Sequence, residues 1–569
     1  MRALLHGSIA RINCTDQLHR SLVLGRPPKL SSPVPSPGYN NLVCTFVYIF
    51  SAGLFAKLTY GILIYPHFFS PLRHIPGPKC ISIWNGQFPT IHRQPSGQPH
   101  IKWMDEVPND GLIRYLAFCN ADRVFPTSPK LLQEVMHTKG YIFQKAPIVR
   151  RSIGKMFGMH GMLFSEGEQH KVQRRHMLPA FSYRHLRDLI PNFWEKSINL
   201  NKVMENDLRT RQDADTQKQI GMVVEISQWL NRATLDIIGS AGFGYEFNCI
   251  NNNDESNELA QAYRKVFQPV SKGVQLQRVV FQYLPDWLIK LIPSKRRKES
   301  AEAIEMVKGM CMRMVREKKR EYETEGKAGQ KGLREIDILS LVTKDSPFTE
   351  EEMRDQLMTF LAAGHETTAS ALTWALFLLS QNPEIQSRLR AEIRSQIPSP
   401  TSTATPAVPL EDYLDTLPYL RNVTNEVFRF FPPVPMTLRM AGEDTTLGRH
   451  YIPKGTIVMI SPWAINRSKK VWGPRADVFD PDRWEAYKEG KEGASNYDFM
   501  TFLHGPRSCI GKDFSRLEFK ALLAALVGKF EFNEVLDKNG RRKELVIKSG
   551  ITSRPENGLP LWVRSLDGW

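Results

Sequence analysis

The chain has 569 residues, of which 41% are hydrophobic and 10% aromatic, and this content excludes a mostly disordered chain. Lys and Arg total 76 against 59 Asp and Glu, and the net charge of +17 favours a nucleic acid, an anionic membrane surface or an acidic protein as partner. Seven scattered cysteines with no Cys-x-x-Cys pair argue against a disulfide framework or a structural zinc site.

The N-terminal part predicts a basic leader followed by a membrane anchor. Residues 1–41 form the leader, which is similar to a mitochondrial transit peptide. Residues 42–65 are almost wholly apolar, and a helix of this length rises about 36 Å, enough to cross a hydrocarbon core of about 30 Å. The long span favours insertion at the endoplasmic reticulum, with a buried core helix as the alternative. The flanking charges nearly balance and indicate no orientation.

The rest of the chain predicts a hinge and one large domain. Residues 66–79 include Ile75-Pro76-Gly77-Pro78, a stiff turn that cannot continue a helix, and residues 80–569 form the domain. Most of its pattern is helical, with strands expected at 113–118 and 451–460. Thr349 and the three glutamates after it predict a capping box that opens a long helix ending near Ser380. The fold class is therefore mainly α with small β-sheets.

The sharpest chemical signal is the segment 502–511, FLHGPRSCIG. Glycines allow close backbone approach on both sides of Cys509, and Arg507 places a positive charge two residues before it. The helix predicted from Gly511 to Leu526 directs its positive dipole end toward the sulfur. The pattern predicts a thiolate held for a metal, while Cys509 alone would be read as an ordinary buried cysteine.

This segment resembles the haem-binding loop of the cytochrome P-450 monooxygenases, Phe-x-x-Gly-x-Arg-x-Cys-x-Gly. The fixed positions are all present, as Phe502, Gly505, Arg507, Cys509 and Gly511. The resemblance implies the P-450 fold and a haem b (iron protoporphyrin IX) held without covalent bonds to the porphyrin, with Cys509 as the axial ligand. A thiolate ligand donates electron density to the iron and favours O–O cleavage.

A second match lies in the middle of the long helix, at residues 363–368, AGHETT. Gly364 and the Thr367 hydroxyl can open the helical hydrogen-bond ladder locally, although a packing kink is the alternative. The resemblance implies that Thr367 supports oxygen activation and that Glu366 belongs to a proton relay. A zinc-protease motif fails because Ala369 stands where a second His is required.

Two further matches concern charged side chains. Resemblance implies that Glu426, Arg429 and Arg483 form a buried structural network, with Trp484 standing where Phe is usual. It also implies haem propionate partners, for which both His and Arg can donate to a carboxylate. These partners are His170 (where Trp is usual), Arg174, Arg439 and Arg507.

Substrate contacts follow from the resemblance by position only, and ordinary core packing is the alternative for each. The candidates are apolar or small: Phe360, Ala363, Val434, Met436, Ile551, Thr552 and the segment 147–164. Such side chains suit an apolar substrate of medium size.

Electrons must come from a partner, because no dinucleotide or flavin pattern is present. The resemblance implies an NADPH–cytochrome P-450 reductase, with cytochrome b5 as a further candidate donor. We expect basic residues of two helices to steer an acidic partner: Lys171, Arg174, Arg175, Lys512, Arg516 and Lys520. No nucleic-acid module accompanies the basic charge.

The leading hypothesis is a single-pass membrane monooxygenase, with its catalytic domain in the cytosol, that inserts one oxygen atom from O2 into an apolar small molecule. The long leader, the His170 variant and the overall pattern resemble fungal members of secondary metabolism, which act on terpenoid, polyketide or alkaloid skeletons. One alternative is a haem-thiolate isomerase or dehydratase of lipid peroxides, but such relatives tend to lack the acid–threonine pair. Another is a haem-binding sensor or carrier without turnover.

Overall fold

The computed structural model describes residues 37–211, 221–252, 258–267, 272–281, 284–328, 337–344, 346–400, 410–487, 495–542, 545–548 and 550–569. Residues 1–36 of the predicted leader lie outside the described residues. The chain divides into two compact units, Met1–Tyr60 and Gly61–Trp569.

Helices dominate the described part of the chain. In chain order they are α1 (Pro37–Thr59), α2 (Phe88–Arg93), α3 (Gln98–Glu106), α4 (Pro129–Gln133), α5 (Pro147–Phe157), α6 (Gly167–Met177), α7 (Tyr183–Asp188), α8 (Ile190–Thr210), α9 (Ile226–Ile237), α10 (Glu258–Phe267), α11 (Lys272–Phe281), α12 (Asp286–Leu291), α13 (Lys295–Ala328), α14 (Ile338–Thr343), α15 (Glu350–Gln381), α16 (Pro383–Gln396), α17 (Leu410–Thr416), α18 (Pro418–Phe430), α19 (Pro462–Ile465), α20 (Lys469–Trp472), α21 (Arg483–Ala486) and α22 (Lys512–Lys529). The predicted mainly helical fold class is confirmed.

The strands are short and form small sheets. They are β1 (Leu112–Leu116), β2 (Asp122–Pro126), β3 (Phe143–Lys145), β4 (Gly221–Glu225), β5 (Thr437–Ala441), β6 (Thr445–Leu447), β7 (His450–Ile452), β8 (Ile457–Ile460), β9 (Phe530–Glu534), β10 (Ile547–Lys548), β11 (Arg554–Pro555) and β12 (Pro560–Ser565). A five-stranded sheet has the order β1-β2-β8-β5-β3, in which β2 and β8 are parallel and the other pairs antiparallel. A three-stranded sheet has the order β4-β12-β9, and β6-β7 and β10-β11 are two-stranded.

The apolar N-terminal helix is long enough to cross a membrane. The helical segment Cys44–Phe69 is long and apolar enough to span a membrane, and its most apolar part is not buried by the rest of the protein. It ends in a π-type stretch, Tyr60–Phe69, and therefore continues four residues beyond the predicted end at Tyr65. Because Phe46, Tyr48 and Phe55 are exposed, the alternative of a buried core helix is wrong.

The long helix α15 runs through the larger hydrophobic core. Its N-terminus is fixed by the capping box, in which Glu352 N–H donates to Thr349 Oγ1 at 3.2 Å and Thr349 N–H donates to the Glu352 carboxylate at 3.1 Å. It ends at Gln381, before Asn382 and Pro383. It packs against α5, α9, α13 and α22, so it lies beside the helix that follows the cysteine loop.

A smaller core lies under the five-stranded sheet, with Leu112, Ile113, Phe125 and Val458 fully buried. The expected strand at 113–118 corresponds to β1. The expected single strand at 451–460 is wrong in its continuity, because Gly455 adopts a positive φ of 86° and the turn around it separates β7 from β8. This sheet positions β3 and β5, which carry two cations of the candidate site.

Candidate haem-thiolate site

The cysteine loop before α22 is held in a tight, partly left-handed conformation. Leu503 and Gly505 have positive φ values of 55° and 76°. A Cβ at position 505 would overlap the carbonyl oxygen of Met136, so only glycine fits there. The Cys509 N–H donates to the Phe502 carbonyl at 2.9 Å and closes the loop. The backbone therefore fixes the direction of the Cys509 side chain.

The charge state of Cys509 results from opposing effects. Burial raises the pKa of the thiol, while the backbone N–H of Gly511 and the charge of Arg174 lower it. Arg174 is itself fixed, because its guanidinium donates to the Ser508 carbonyl at 2.8 Å and to the Ser508 hydroxyl at 3.1 Å. Cys509 nevertheless remains accessible to solvent, so the surrounding protein atoms disfavour the thiolate without covering the residue. A soft metal that binds the thiolate would remove the cost of ionising it there.

Cations gather beside this loop around one carboxylate. Arg507 pairs with Glu166 and donates to the Ser165 carbonyl at 3.0 Å. Arg439 lies opposite Lys145 across the β3–β5 ladder. Burial and the neighbouring Arg507 lower the pKa of Arg439 to about 10, and burial with Arg439 also holds the pKa of Lys145 well below its usual value. The cluster therefore carries more positive charge than Glu166 can balance, and further carboxylates would stabilise it.

The residues of α6 occupy different places from one another. His170 is buried, and its Nδ1 lies 3.1 Å from the Tyr141 hydroxyl. Burial and then Arg507 lower the pKa of His170 to about 4, so the ring is neutral at pH 7. Arg174, one turn later, contacts the cysteine loop. Lys145 and Tyr141 were missed by the sequence analysis, because Lys145 reaches the site through the β3–β5 pairing and Tyr141 through a contact with the distant His170.

These observations fit a haem with a cysteine ligand. The accessible Cys509 supplies the thiolate, and the surplus of cations at Lys145, Arg439 and Arg507 matches the two propionates that haem carries. Among the atoms that the structure describes, Nε of Arg507 is buried and has no hydrogen-bond partner, which leaves a donor for such a carboxylate.

The acid–threonine pair of α15 makes contacts that the sequence did not predict. The buried Glu366 carboxylate accepts a hydrogen bond from Thr552 Oγ1 at 2.9 Å and lies 3.1 Å from Nη1 of Arg554. The Thr367 hydroxyl donates to the Ala363 carbonyl at 2.7 Å, while α15 continues unbroken through this turn. Thr552, a candidate substrate residue, is therefore a partner of Glu366.

The predicted charge network joins α18 to the segment around α21. Glu426 accepts from Nε and Nη2 of Arg429 at 2.8 Å each and from Nε of Arg483 at 2.9 Å. Trp484 Nε1–H also donates to Glu426, at 2.9 Å. The indole at this position thus adds a donor that Phe could not supply. Arg429 and Glu426 are fully buried, so the charges depend on one another for solvation.

The candidate substrate residues do not form one group. Phe360, Ala363 and Ile551 pack in or against the larger core, and the Phe360 ring lies edge-on to Phe181 at 5.4 Å. Met436 instead packs against the core under the sheet, and Val434 is half-buried. Only the first three therefore share a core with Glu366 and α15.

The predicted basic surface is smaller than expected. Lys171, Arg175 and Lys512 are exposed, and Arg516 is partly buried. The surface position expected for Lys520 is wrong, because α22 turns this side chain inward and leaves it 7% exposed. The exposed members lie on α6 and at the start of α22, the two helices that also carry Arg174 and follow Cys509.

Comparison with known proteins agrees with this geometry. The family model for cytochrome P-450 matches residues 76–559. The chain is 38% identical over 535 residues to cytochrome P-450 monooxygenase sphH of Aspergillus fumigatus, covering 93% of this chain and 95% of that protein. It is 37% identical over 553 residues to cytochrome P-450 monooxygenase FUM15 of Gibberella moniliformis, covering 90% and 91% respectively. Cytochrome P-450 monooxygenase ALT8 of Alternaria alternata is 36% identical over 555 residues, with 89% and 92% covered.

Proposed function

Because the chain belongs to the cytochrome P-450 monooxygenase family, we propose that it is a membrane-anchored enzyme that oxygenates an apolar small molecule in fungal secondary metabolism. The observation that carries the proposal is the accessible Cys509, fixed by a strained loop at the start of α22 and flanked by surplus cations. The family implies a haem with a cysteine thiolate, and bound haem supplies the oxygen chemistry.

In this proposal, each polar residue of the site has a separate task. Cys509 binds the iron, and Arg174 together with the Gly511 N–H at the start of α22 lowers the pKa of its thiol against the larger effect of burial, which raises it. Arg439, Arg507 and Lys145 bind the propionates, and neutral His170 acts as a donor held by Tyr141. The network around Glu426 keeps the surrounding helices in place.

Proton supply is assigned to the acid–threonine pair. Glu366 has a hydroxyl donor in Thr552 and an ion-pair partner in Arg554, and these two contacts fix the orientation of its carboxylate. Thr367 is its neighbour on α15 and presents the hydroxyl through which a proton reaches the oxygen site. Arg554 is 28% exposed and therefore leads from the buried acid toward solvent.

The substrate is proposed to be apolar, with a terpenoid, polyketide or alkaloid skeleton. Support comes from Phe360, Ala363 and Ile551, apolar side chains that lie in or against the core crossed by α15, and from the fungal sources of the similar monooxygenases. The reaction is a hydroxylation, an epoxidation or a series of such oxidations.

Electrons are proposed to come from NADPH through a separate cytochrome P-450 reductase, with cytochrome b5 as a second donor. The exposed Lys171, Arg175 and Lys512 supply a positive surface for an acidic partner. The apolar helix Cys44–Phe69 supports a single-pass anchor. We place the anchor in the endoplasmic reticulum, with the catalytic body in the cytosol, where such a reductase would meet it.

The carbon-monoxide difference spectrum of the reduced protein tests the thiolate assignment. We expect the strongly red-shifted Soret band of a haem thiolate in the wild-type chain and in Cys44→Ser, which changes an exposed cysteine of the apolar helix. Cys509→Ala should remove the band, because no other ligand replaces the sulfur. A folded, haem-loaded wild-type protein without this band would refute the assignment.

Turnover separates the monooxygenase from the alternative functions. With reductase and a panel of apolar candidates, a monooxygenase consumes NADPH and O2 when its substrate is added. A lipid-peroxide isomerase would act without NADPH, and a sensor or carrier would bind ligand without consuming either reagent. The Glu366–Thr367 pair, with its two supporting side chains, favours the monooxygenase.

A further inference from the structure

Three side chains on one face of α15 hold three consecutive residues of the C-terminal region. Glu366, Ser370 and Trp374 follow one another at four-residue intervals, so they lie along one stripe of the helix. Glu366 contacts Thr552 and Arg554, as described above. The other two side chains contact the residue between these partners. The stripe therefore joins the acid of the site to two groups that have no part in the chemistry.

The residue between the two partners is Ser553, and its buried carbonyl oxygen accepts two hydrogen bonds from α15. The Ser370 hydroxyl donates to this oxygen at 2.6 Å, and the Trp374 indole N–H donates to it at 2.9 Å. A carbonyl oxygen has two lone pairs, so α15 supplies a donor for each of them. Because a buried carbonyl without a donor is costly, these two bonds fix the place of the Ser553 backbone.

The other polar groups of Ser553 bind a second segment of the chain. Its N–H donates to the Pro433 carbonyl at 2.8 Å, and its hydroxyl donates to the Pro432 carbonyl at 3.3 Å. These prolines directly precede Val434, a candidate substrate residue, while Ser553 itself follows the candidate Thr552. Ser553 therefore connects α15 to both of these candidate substrate segments.

Packing holds the indole of Trp374 in place. Trp374 is fully buried, and its ring stacks on that of Phe431 with the centroids 4.1 Å apart and the planes at 7°. Phe431 in turn lies edge-on to Trp463 at 5.5 Å. Close packing of this kind restricts rotation of the ring, so the indole N–H stays directed at the Ser553 carbonyl.

We propose that Trp374 and Ser370 are positioning residues, which act through Ser553 and set where Thr552 and Arg554 meet the Glu366 carboxylate. The inference rests on the proposed function, because it concerns the proton supply assigned to Glu366. When the alignment is lost, a larger share of O2 takes up two electrons from NADPH and two protons and leaves as hydrogen peroxide, without oxygenating the substrate.

Two substitutions in the full-length, haem-loaded chain remove the donors separately. Trp374→Phe keeps a ring that can stack on Phe431 and loses the indole N–H, while Ser370→Ala loses the hydroxyl. The assay uses reductase and the apolar panel compound that wild type turns over fastest. Each variant should release several-fold more peroxide per NADPH than wild type, and the double variant should release more than either, since both donors from α15 are then gone. The carbon-monoxide band and the substrate-induced spectral change should persist.

Matched variants control for the loss of a buried polar group as such. Ser380→Ala removes a hydroxyl of α15 that donates to the Phe377 carbonyl of the same helix at 2.8 Å. Trp472→Phe removes an indole N–H that donates to the Asp498 carbonyl at 3.3 Å. Both variants should couple NADPH to product as wild type does. A rise in peroxide equal to that of the test variants would overturn the inference, because any loss of a buried donor would then produce it.

Hydrogen exchange of the same proteins gives a readout that needs no turnover. The Ser553 amide is protected by its bond to Pro433, so the amides of residues 551–554 should exchange several-fold faster in the double variant. The amides of residues 349–352, in the capping box of the same helix, should keep the wild-type rate. Wild-type exchange at 551–554 in the double variant would overturn the inference. Faster exchange with wild-type coupling would also overturn it, because the contacts would then be purely structural.

Failure of the proposed function would give a different result. A folded, haem-loaded wild-type chain without the red-shifted carbon-monoxide band would refute the monooxygenase assignment, whatever the exchange rates show. If wild type has the band and couples NADPH to product, and the double variant does the same, only the positioning roles of Trp374 and Ser370 are lost.

Discussion

The thiolate side and the acid side of the site are built in different ways. The thiolate side is local: Cys509 is fixed by a loop of ten residues, with left-handed backbone at Leu503 and Gly505. The acid side is assembled from distant parts of the chain, because Glu366 of α15 is held by Thr552 and Arg554 from the C-terminal region. The thiolate side depends on backbone conformation, whereas the acid side depends on the pairing of distant side chains. Different substitutions should therefore disrupt the two sides.

The largest effect is expected from Gly505→Ala, which disrupts the cysteine loop on the thiolate side. The added methyl would overlap the Met136 carbonyl, and alanine also resists the positive φ of 76°. We expect loss of the red-shifted carbon-monoxide band and a stability loss of about 3 kcal/mol or more, measured by denaturant unfolding.

Gly455→Ala is the matched control for that substitution. Gly455 has a similar φ of 86° but no atom within 4 Å of its added Cβ, so the variant experiences only the backbone strain. Its cost should be about 1–2 kcal/mol, and its spectrum should be normal. Equal losses in the two variants would mean that strain alone, and not the contact with Met136, accounts for Gly505.

A smaller and more selective effect is expected from Arg554→Gln, which removes the ion pair with Glu366 on the acid side. Without the cation, Glu366 loses the ion pair that orients its carboxylate. Turnover should fall about tenfold, a fraction of the range known for general acid–base groups, and more O2 should end as peroxide. The carbon-monoxide band and the substrate-induced spectral change should be unaffected.

Charge and position are separated by two companion variants. Arg554→Lys should recover much of the coupling of NADPH to product, because it restores the cation. Arg542→Gln removes another arginine of the C-terminal region, one that pairs with Glu534, and should behave as wild type. Normal coupling in Arg554→Gln would remove Arg554 from the proton pathway.

The same contrast explains what the sequence could predict. The cysteine loop, the capping box at Thr349 and the apolar helix are encoded by neighbouring residues, and all three were predicted from local patterns. Lys145 and Arg554 were missed, because the β3–β5 ladder brings Lys145 to the site and the distant strand β11 brings Arg554. The inward turn of Lys520 was also missed, since a single basic residue on α22 does not reveal which face it occupies.

One buried acid lies between the two helices that carry the two sides. Glu518 of α22 is fully buried, and both carboxyl oxygens lack a hydrogen-bond partner among the described residues. The side chain of Thr368 on α15 is close enough to lower the pKa of Glu518, and its hydroxyl also lacks a hydrogen-bond partner among the described residues. Burial raises the pKa of Glu518 well above its usual value, which favours the protonated carboxyl in the folded chain.

The smallest effect is therefore expected from Glu518→Gln, as a change in the pH dependence of stability. Since the folded pKa exceeds the unfolded one, the folded state retains a proton that the unfolded state releases, and stability falls as pH rises between the two values, by up to about 1.4 kcal/mol per pH unit. Glutamine removes this slope, so the variant should lose less stability than wild type between pH 6 and pH 8 in denaturant unfolding. Glu323→Gln, at an exposed position of α13, should keep the wild-type slope. If Glu518→Gln also keeps it, the carboxyl is ionised in the folded chain, and α15 and α22 would have to enclose a charge between the acid and the thiolate.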